Sequence, residues 1–149
     1  MSAVKIFVPR DSAALAVGAD EVAEALLKEA ALRGSSIELV RNSSRGMIWL
    51  ETLVEVETPC GRVAYGPVQA EDVTSLLDAG MLQGHPHALC LGLTEKIPYL
   101  AKQERLTFAR MGVTDPLSLA DYAAHQGWIG LQRALTMDCA GIVQEVTDS

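Results

Sequence analysis

The stretch VKIFVPRDSAALAVGADEVAEALLKEAALRGSSIELV, residues 4–40, decides the fold class. Residues 4–8 are a short apolar run stopped by Pro9 and Arg10, the pattern of a buried strand. From 19 to 33 the apolar positions Val22, Ala23, Leu26, Leu27 and Ala30 share one helical face, while Glu21, Glu24, Lys28 and Glu29 share the other. Gly34 supplies a helix stop, and Ile37, Leu39 and Val40 begin a second strand. A strand, a helix and a strand within about 40 residues predict a right-handed crossover with parallel strands.

Working outward, residues 42–46 are polar and end in Gly46, which marks a loop. Residues 53–58 and 62–65 flank Pro59, Cys60 and Gly61 and predict an antiparallel hairpin. A helix over 70–79 follows, with Glu71 and Asp72 in its first turn, where they complement the helix dipole. The order strand, helix, strand, strand, strand, helix predicts an α/β fold with a four-stranded mixed sheet over residues 1–82. Gly84, His85, Pro86, His87 and Gly92 read as a linker, and residues 83–113 as linker and extended arm. Ile97, Tyr99, Leu100, Leu106, Phe108 and Met111 lie in that arm without a regular period, so it is expected to pack on another surface and not on the first domain. Residues 114–149 predict three short helices: one capped by Ser118, one over 128–137, one capped by Asp138.

Twelve Lys and Arg against nineteen Asp and Glu give a formal charge of -7, which disfavours the phosphate neutralisation that nucleic-acid binding requires. No run of 18 apolar residues predicts a membrane span. The opening MSAVKIFVPR has no secretory pattern, and three widely spaced cysteines fit a reducing compartment, so a cytoplasmic location is expected.

Candidate chemistry is sparse. Neither a dinucleotide fingerprint nor a P-loop is present, and there is no nucleophile elbow. His85, His87 and Cys90 have a spacing that can reach a zinc ion, but three ligands underspecify a closed site, and solvated loop histidines are the ordinary reading. Cys60 is read as an inert turn thiol, Cys139 as a small packing residue at a helix start, and Trp49 and Trp128 as core or interface packing ahead of partner anchors. Glu51, Glu55 and Glu57 form an acidic cluster, ordinarily a solvated strand face. From the residues alone, no catalytic, cofactor-binding or metal-binding residue is assigned.

Two stretches carry a resemblance. Residues 93–135, above all RLTFAR (105–110) and TDPLSLADYAAH (114–125), resemble the flavin-bearing diaphorase (beta) subunit of NAD-dependent formate dehydrogenases. That subunit is similar to the NADH-binding flavin subunit of respiratory complex I and of bidirectional hydrogenases. Family members carry a double glycine and an aromatic after the histidine, where this chain has Gln126, Gly127 and Trp128. VRNSSRGMIWLETLVEVETP (40–59) and VAYGPV (63–68) are similar to the thioredoxin-like N-terminal domain of the same subunit.

The resemblance implies a thioredoxin-like domain, then an arm and short helices leading towards a domain for FMN and NAD that begins beyond Ser149. It implies a parent complex with FMN, NAD, iron–sulfur clusters including a four-iron (4Fe–4S) one, and a molybdenum or tungsten cofactor. The implied partners are an alpha subunit bearing that metal and a small ferredoxin-like gamma subunit. Related ferredoxin domains hold a two-iron cluster on four cysteines, at positions that fall here on Pro9, Ala14, Asn42 and Gly46; none is a thiolate. The implied role is a cluster-free structural or docking domain of an oxidoreductase subunit. The alternatives are a stand-alone thioredoxin-like binding module, or the same region of a related hydrogenase or complex I-type subunit.

Overall fold

A computed structural model describes residues 3–149; Met1 and Ser2 of the opening stretch lie outside the described residues. The chain forms two compact units, Met1–Asp115 and Pro116–Ser149.

The first unit is built on a five-stranded mixed sheet in the order β2-β1-β3-β4-β5. Strand β1 (Val4–Phe7) pairs in parallel with β2 (Ile37–Val40), joined by α1 (Ser12–Leu15) and α2 (Ala19–Leu32). Strands β3 (Val54–Thr58) and β4 (Gly61–Tyr65) form the expected hairpin, and β3 lies antiparallel to β1. A 3-10 turn, Ala70–Asp72, enters α3 (Val73–Asp78) through a capping box in which Asp72 accepts from the Gln69 N–H at 2.9 Å.

The fifth strand corrects the four-strand expectation. Cys90–Leu93, placed by the sequence in a linker, is β5 and pairs antiparallel with β4. It escapes the pattern because Gly92 adopts φ +80° and the ladder shifts register between Ala64 and Tyr65, so no clean alternation exists to read.

Both faces of the sheet are covered. On one, Ile6, Val8, Val54, Val56 and Tyr65 pack against Val22, Ala23, Leu26 and Ala30 of α2 and Val73 and Leu76 of α3. Leu27, assigned to the buried face of α2 by its period, is instead exposed, at the edge of that stripe. On the other face Met47, Leu53 and Ala64 pack with Ile97 and Leu100. The latter two stand three residues apart, Leu100 within the single turn α4 (Pro98–Ala101) that follows Ile97. The expectation that residues 97–111 avoid the first domain is therefore wrong for this part: its apolar groups complete the first unit's second core. Tyr99, Leu106 and Phe108 remain exposed.

The second unit holds α5 (Leu119–Ala124), α6 (Ile129–Ala134) and α7 (Cys139–Asp148). Ser118 Oγ accepts from the Asp121 N–H at 3.1 Å, and Asp138 Oδ1 from the Gly141 N–H at 2.8 Å, so both expected caps form. Tyr122 and Trp128 meet edge to face at 4.9 Å. None of residues 116–149 is buried, and Cys139, expected as a packing residue, is exposed. No helix among the described residues is long and apolar enough to cross a membrane.

Candidate functional site: a buried ion-pair network under a strap

Parallel pairing brings the chain segments that leave β1 and β2 to the same end of the sheet. The Arg10 N–H donates to the Asn42 carbonyl at 2.9 Å. Asp11 ties the two loops together: Oδ1 caps α1 through the Ala13 and Ala14 N–H groups, and Oδ2 accepts from the Ser44 N–H at 2.7 Å. The segments that follow the two strands carry Pro9, Ala14, Asn42 and Gly46, with Ala14 inside α1.

Alternation along β3 turns Glu55 to the face opposite Val54 and Val56, beside Phe7 and Ala64. Because residues 42–50 and 95–113 cover that face, Glu55 is only 1% exposed. Arg45, 5% exposed, donates through Nη2 to Glu55 Oε1 at 2.9 Å and through Nη1 to Glu95 at 3.0 Å. Arg62 lies 3.5 Å from Glu55 Oε2 and stacks over the Phe7 ring at 3.4 Å. Burial lowers the Arg62 guanidinium below its ordinary range, and Glu55 opposes that shift. Two cations thus face two carboxylates, which leaves the cluster balanced. The acidic cluster of the sequence is corrected here: Glu51 and Glu55 are buried, and only Glu57, on the same strand face as Glu55, is exposed.

The same groups fasten residues 102–113, a strap across the sheet. Asn42 Nδ2 donates to the Gly112 carbonyl at 2.7 Å, and Arg62 donates to the Gly112 and Val113 carbonyls at 3.0 and 2.9 Å. The Gly112 N–H donates to Ser43 Oγ at 2.9 Å. Along the strap, against Tyr99 and the Arg45–Gly46 loop, lies an open groove of about 610 Å³, lined also by Arg105, Leu106 and Phe108. Asn42 Oδ1, Thr52 Oγ1, Thr94 Oγ1 and Arg105 Nη1 are buried without a hydrogen-bond partner.

Glu51 sits beside the network and accepts from Ser44 Oγ at 2.7 Å and the Leu53 N–H at 2.9 Å. Burial pushes its carboxyl above the usual range, and those hydrogen bonds pull part of the way back. A folded-state value above the unfolded one means the native protein binds the proton more tightly. Its stabilising contribution is therefore full below the ordinary Glu range, about 4.3, and is lost as pH rises through the raised value. Glu51→Gln is expected to raise the unfolding midpoint at neutral pH and to match wild type in acid; thermal melts across pH read this, and an equal offset at every pH contradicts it.

The other sequence candidates lie elsewhere. His87 Nδ1 accepts from the Leu89 N–H at 3.1 Å, and Nε2 lies 3.3 Å from Ser75 Oγ, so both ring nitrogens are engaged. Tyr65 O–H donates to the His85 carbonyl at 2.7 Å, and burial, with the Cys90 thiol nearby, pushes the phenol up to about 12. No group of three metal-ligating side chains forms among the described residues. Cys60 is exposed in the β3–β4 turn. Trp49 is not core: it is 61% exposed and meets Tyr99 edge to face at 5.0 Å. Neither Arg45 nor Arg62 is marked as a site by a motif in the sequence; the signal for Arg45 is an arginine in a polar loop ahead of a strand carrying alternate glutamates.

A two-iron cluster needs thiolates, and the four positions implied for it do not fit. Pro9 and Gly46 offer no side-chain donor, and Ala14 is buried in α1. Asn42 spends its amide on the strap and on Glu55. The three cysteines are on different elements, the β3–β4 turn, β5 and α7.

No protein-family model matches the chain, and no curated protein matches it. Solved structures do. A thioredoxin-like 2Fe–2S ferredoxin from Aquifex aeolicus is 21% identical at a TM-score of 0.50, with 62% of this chain and 93% of that one covered. Another structure of the wild-type Aquifex aeolicus ferredoxin is 21% identical at a TM-score of 0.49, covering 62% of this chain and 99% of that one. At this identity the likeness is one of architecture: the chain has a mixed α/β, thioredoxin-like fold.

Proposed function

We propose that this chain contributes a cluster-free, thioredoxin-like docking domain to the diaphorase subunit of a multi-subunit NAD-dependent formate dehydrogenase. The observation that carries the reading is the exchange at the strand ends. Where the resemblance calls for four cluster thiolates, the loops carry none, and their polar atoms clamp a strap whose sequence, RLTFAR, is the most specific part of that resemblance. The parent complex would move electrons from formate through iron–sulfur clusters and FMN to NAD, with molybdenum or tungsten where formate is oxidised. This domain would hold subunits in register and relay no electrons itself.

The test is to tag the chain in its source organism and isolate it with whatever it binds. Molybdenum or tungsten, iron and flavin in fixed ratio to the chain, with formate-dependent NAD reduction, are expected. A chain recovered with none of these contradicts the assignment. The 149-residue polypeptide alone is expected to be colourless after anaerobic reconstitution with iron and sulfide, because soft sulfur ligands are needed at positions that lack them. Visible iron–sulfur absorption that persists when Cys60, Cys90 and Cys139 are all replaced by Ser would refute the cluster-free reading. The same polypeptide is expected not to bind NADH in calorimetric titration, since no Gly-rich loop presents backbone N–H groups to a pyrophosphate. Saturable, stoichiometric binding in the micromolar range would place the nucleotide site within these residues.

A further inference from the structure

Among the described residues four arginines are buried or part-buried, and three have a carboxylate. Arg41 pairs with Asp20 at 2.8 Å, Arg45 with Glu55 and Glu95, and Arg62 with Glu55. The fourth, Arg105, has none, in a chain where acidic residues outnumber basic ones nineteen to twelve. Its Nε donates to Gln103 Oε1 at 2.9 Å and its Nη2 to the Arg45 carbonyl at 2.7 Å, which fixes the plane of the guanidinium. Its Nη1 is buried and donates to nothing. The side chain as a whole is part-exposed and lines the groove, so its positive charge, unanswered by any carboxylate at ion-pair distance among the described residues, is open to one from outside. Because the group is already held, little rotamer freedom is lost on binding.

The surroundings specify the occupant. Arg105 lines the groove with Tyr99, Leu106 and Phe108; Leu106 is 83% exposed and Phe108 64%. Trp49, itself exposed, braces Tyr99. A small-molecule pocket encloses most of its ligand. Here the apolar side chains stand out from an open surface, and covering them requires an apolar surface of comparable extent. An arginine among exposed aromatics is the composition of an interface hot spot, and a carboxylate is the acceptor whose geometry and charge match a guanidinium.

We propose that this face docks a partner protein that presents an aspartate or glutamate to Arg105 and apolar side chains to Tyr99, Leu106 and Phe108. The inference rests on the docking-domain reading, but it requires only a protein partner, not one that oxidises formate.

The test uses the tagged chain in the complex isolated from its source. Arg105→Lys keeps the charge and places a primary amine at the site, which a carbodiimide joins directly to a carboxylate in contact with it. Peptide mass spectrometry is expected to find an amide link from position 105 to an Asp or Glu of another polypeptide, absent from wild type and from Arg105→Gln. Phe108→Ser, on an exposed side chain, is expected to weaken partner retention about tenfold without moving the thermal midpoint of the free chain. A bound partner with links from position 105 only to this chain's own Glu95 or Glu104 overturns the inference and leaves the docking-domain reading standing. So does retention unchanged in both Arg105→Gln and Phe108→Ser, or a small carboxylate released stoichiometrically from the denatured complex in place of a link. A link to a protein outside any formate-oxidising complex supports the inference and overturns the formate assignment. A wild-type chain that binds no partner overturns both.

Discussion

Glu55→Ala is expected to destabilise the first unit by about 3–5 kcal/mol, the cost of removing one partner from a buried ion pair. Arg45 would retain only Glu95, whose carboxylate is mostly solvated, and Arg62 would lose its closest counter-charge while still stacked on Phe7. For a chain of this length the melting midpoint should fall by roughly 10 °C. Glu57→Ala, two residues along the same strand but exposed, should change stability by no more than about 0.5 kcal/mol. If burial of unpaired charge is the cause, Glu55→Leu combined with Arg45→Met should recover the part of the loss that belongs to Arg45, while Arg62 stays without its counter-charge. A double variant as unstable as the sum of the two single ones would show that the pair acts through packing. Denaturant titration of the four proteins decides it.

The second large effect is expected at Gly112. Its φ is +77°, and a Cβ there would overlap Arg45 Cδ and come within 3.0 Å of Arg45 Cγ. Arg45 is held by Glu55 and Glu95 and has no room to retreat. Gly112→Ala is therefore expected to cost about 2–4 kcal/mol, the sum of a left-handed backbone penalty and an overpacked contact. Gly46 is the control: its φ is +85° and nothing lies within 4 Å of its Cβ position, so Gly46→Ala carries the backbone penalty of about 1–2 kcal/mol alone. Hydrogen exchange should show the Gly112 amide, now bonded to Ser43 Oγ, losing protection in Gly112→Ala and keeping it in Gly46→Ala. Equal losses in both would mean that the strap is not seated by close contact with Arg45.

Much of the scaffold was readable because its elements obey a period. The crossover from β1 through α2 to β2, the β3–β4 hairpin and the Ser118 and Asp138 caps each follow from spacing or a capping side chain. What stayed hidden has a common cause. Alternation along β3 separates two faces but does not say which is solvated, and an alternating apolar and acidic strand suggests one wet side. The covering comes from Met47, Ile97 and Leu100, far apart in sequence and without a shared period. Once that lid is in place, Glu55 and Glu51 become interior groups and Arg45 and Arg62 their counter-charges. Strand β5 was missed because it is four residues long, with a left-handed glycine, beside Pro86 and two histidines that signal a loop.

The sheet order also bears on how this protein avoids sticking to itself. Its two borders, β2 and β5, are each four residues long, too short to template an added strand firmly. Glu38 and Lys5 face each other across the outermost pair, and Gly92 breaks the opposite rim with its left-handed backbone. Main-chain recruitment along the sheet, the usual route to fibrous aggregates, is blunted at both borders. The exposed side chains of Leu106, Phe108 and Trp49 therefore stand on a protein whose sheet borders offer the backbone little purchase for polymer growth.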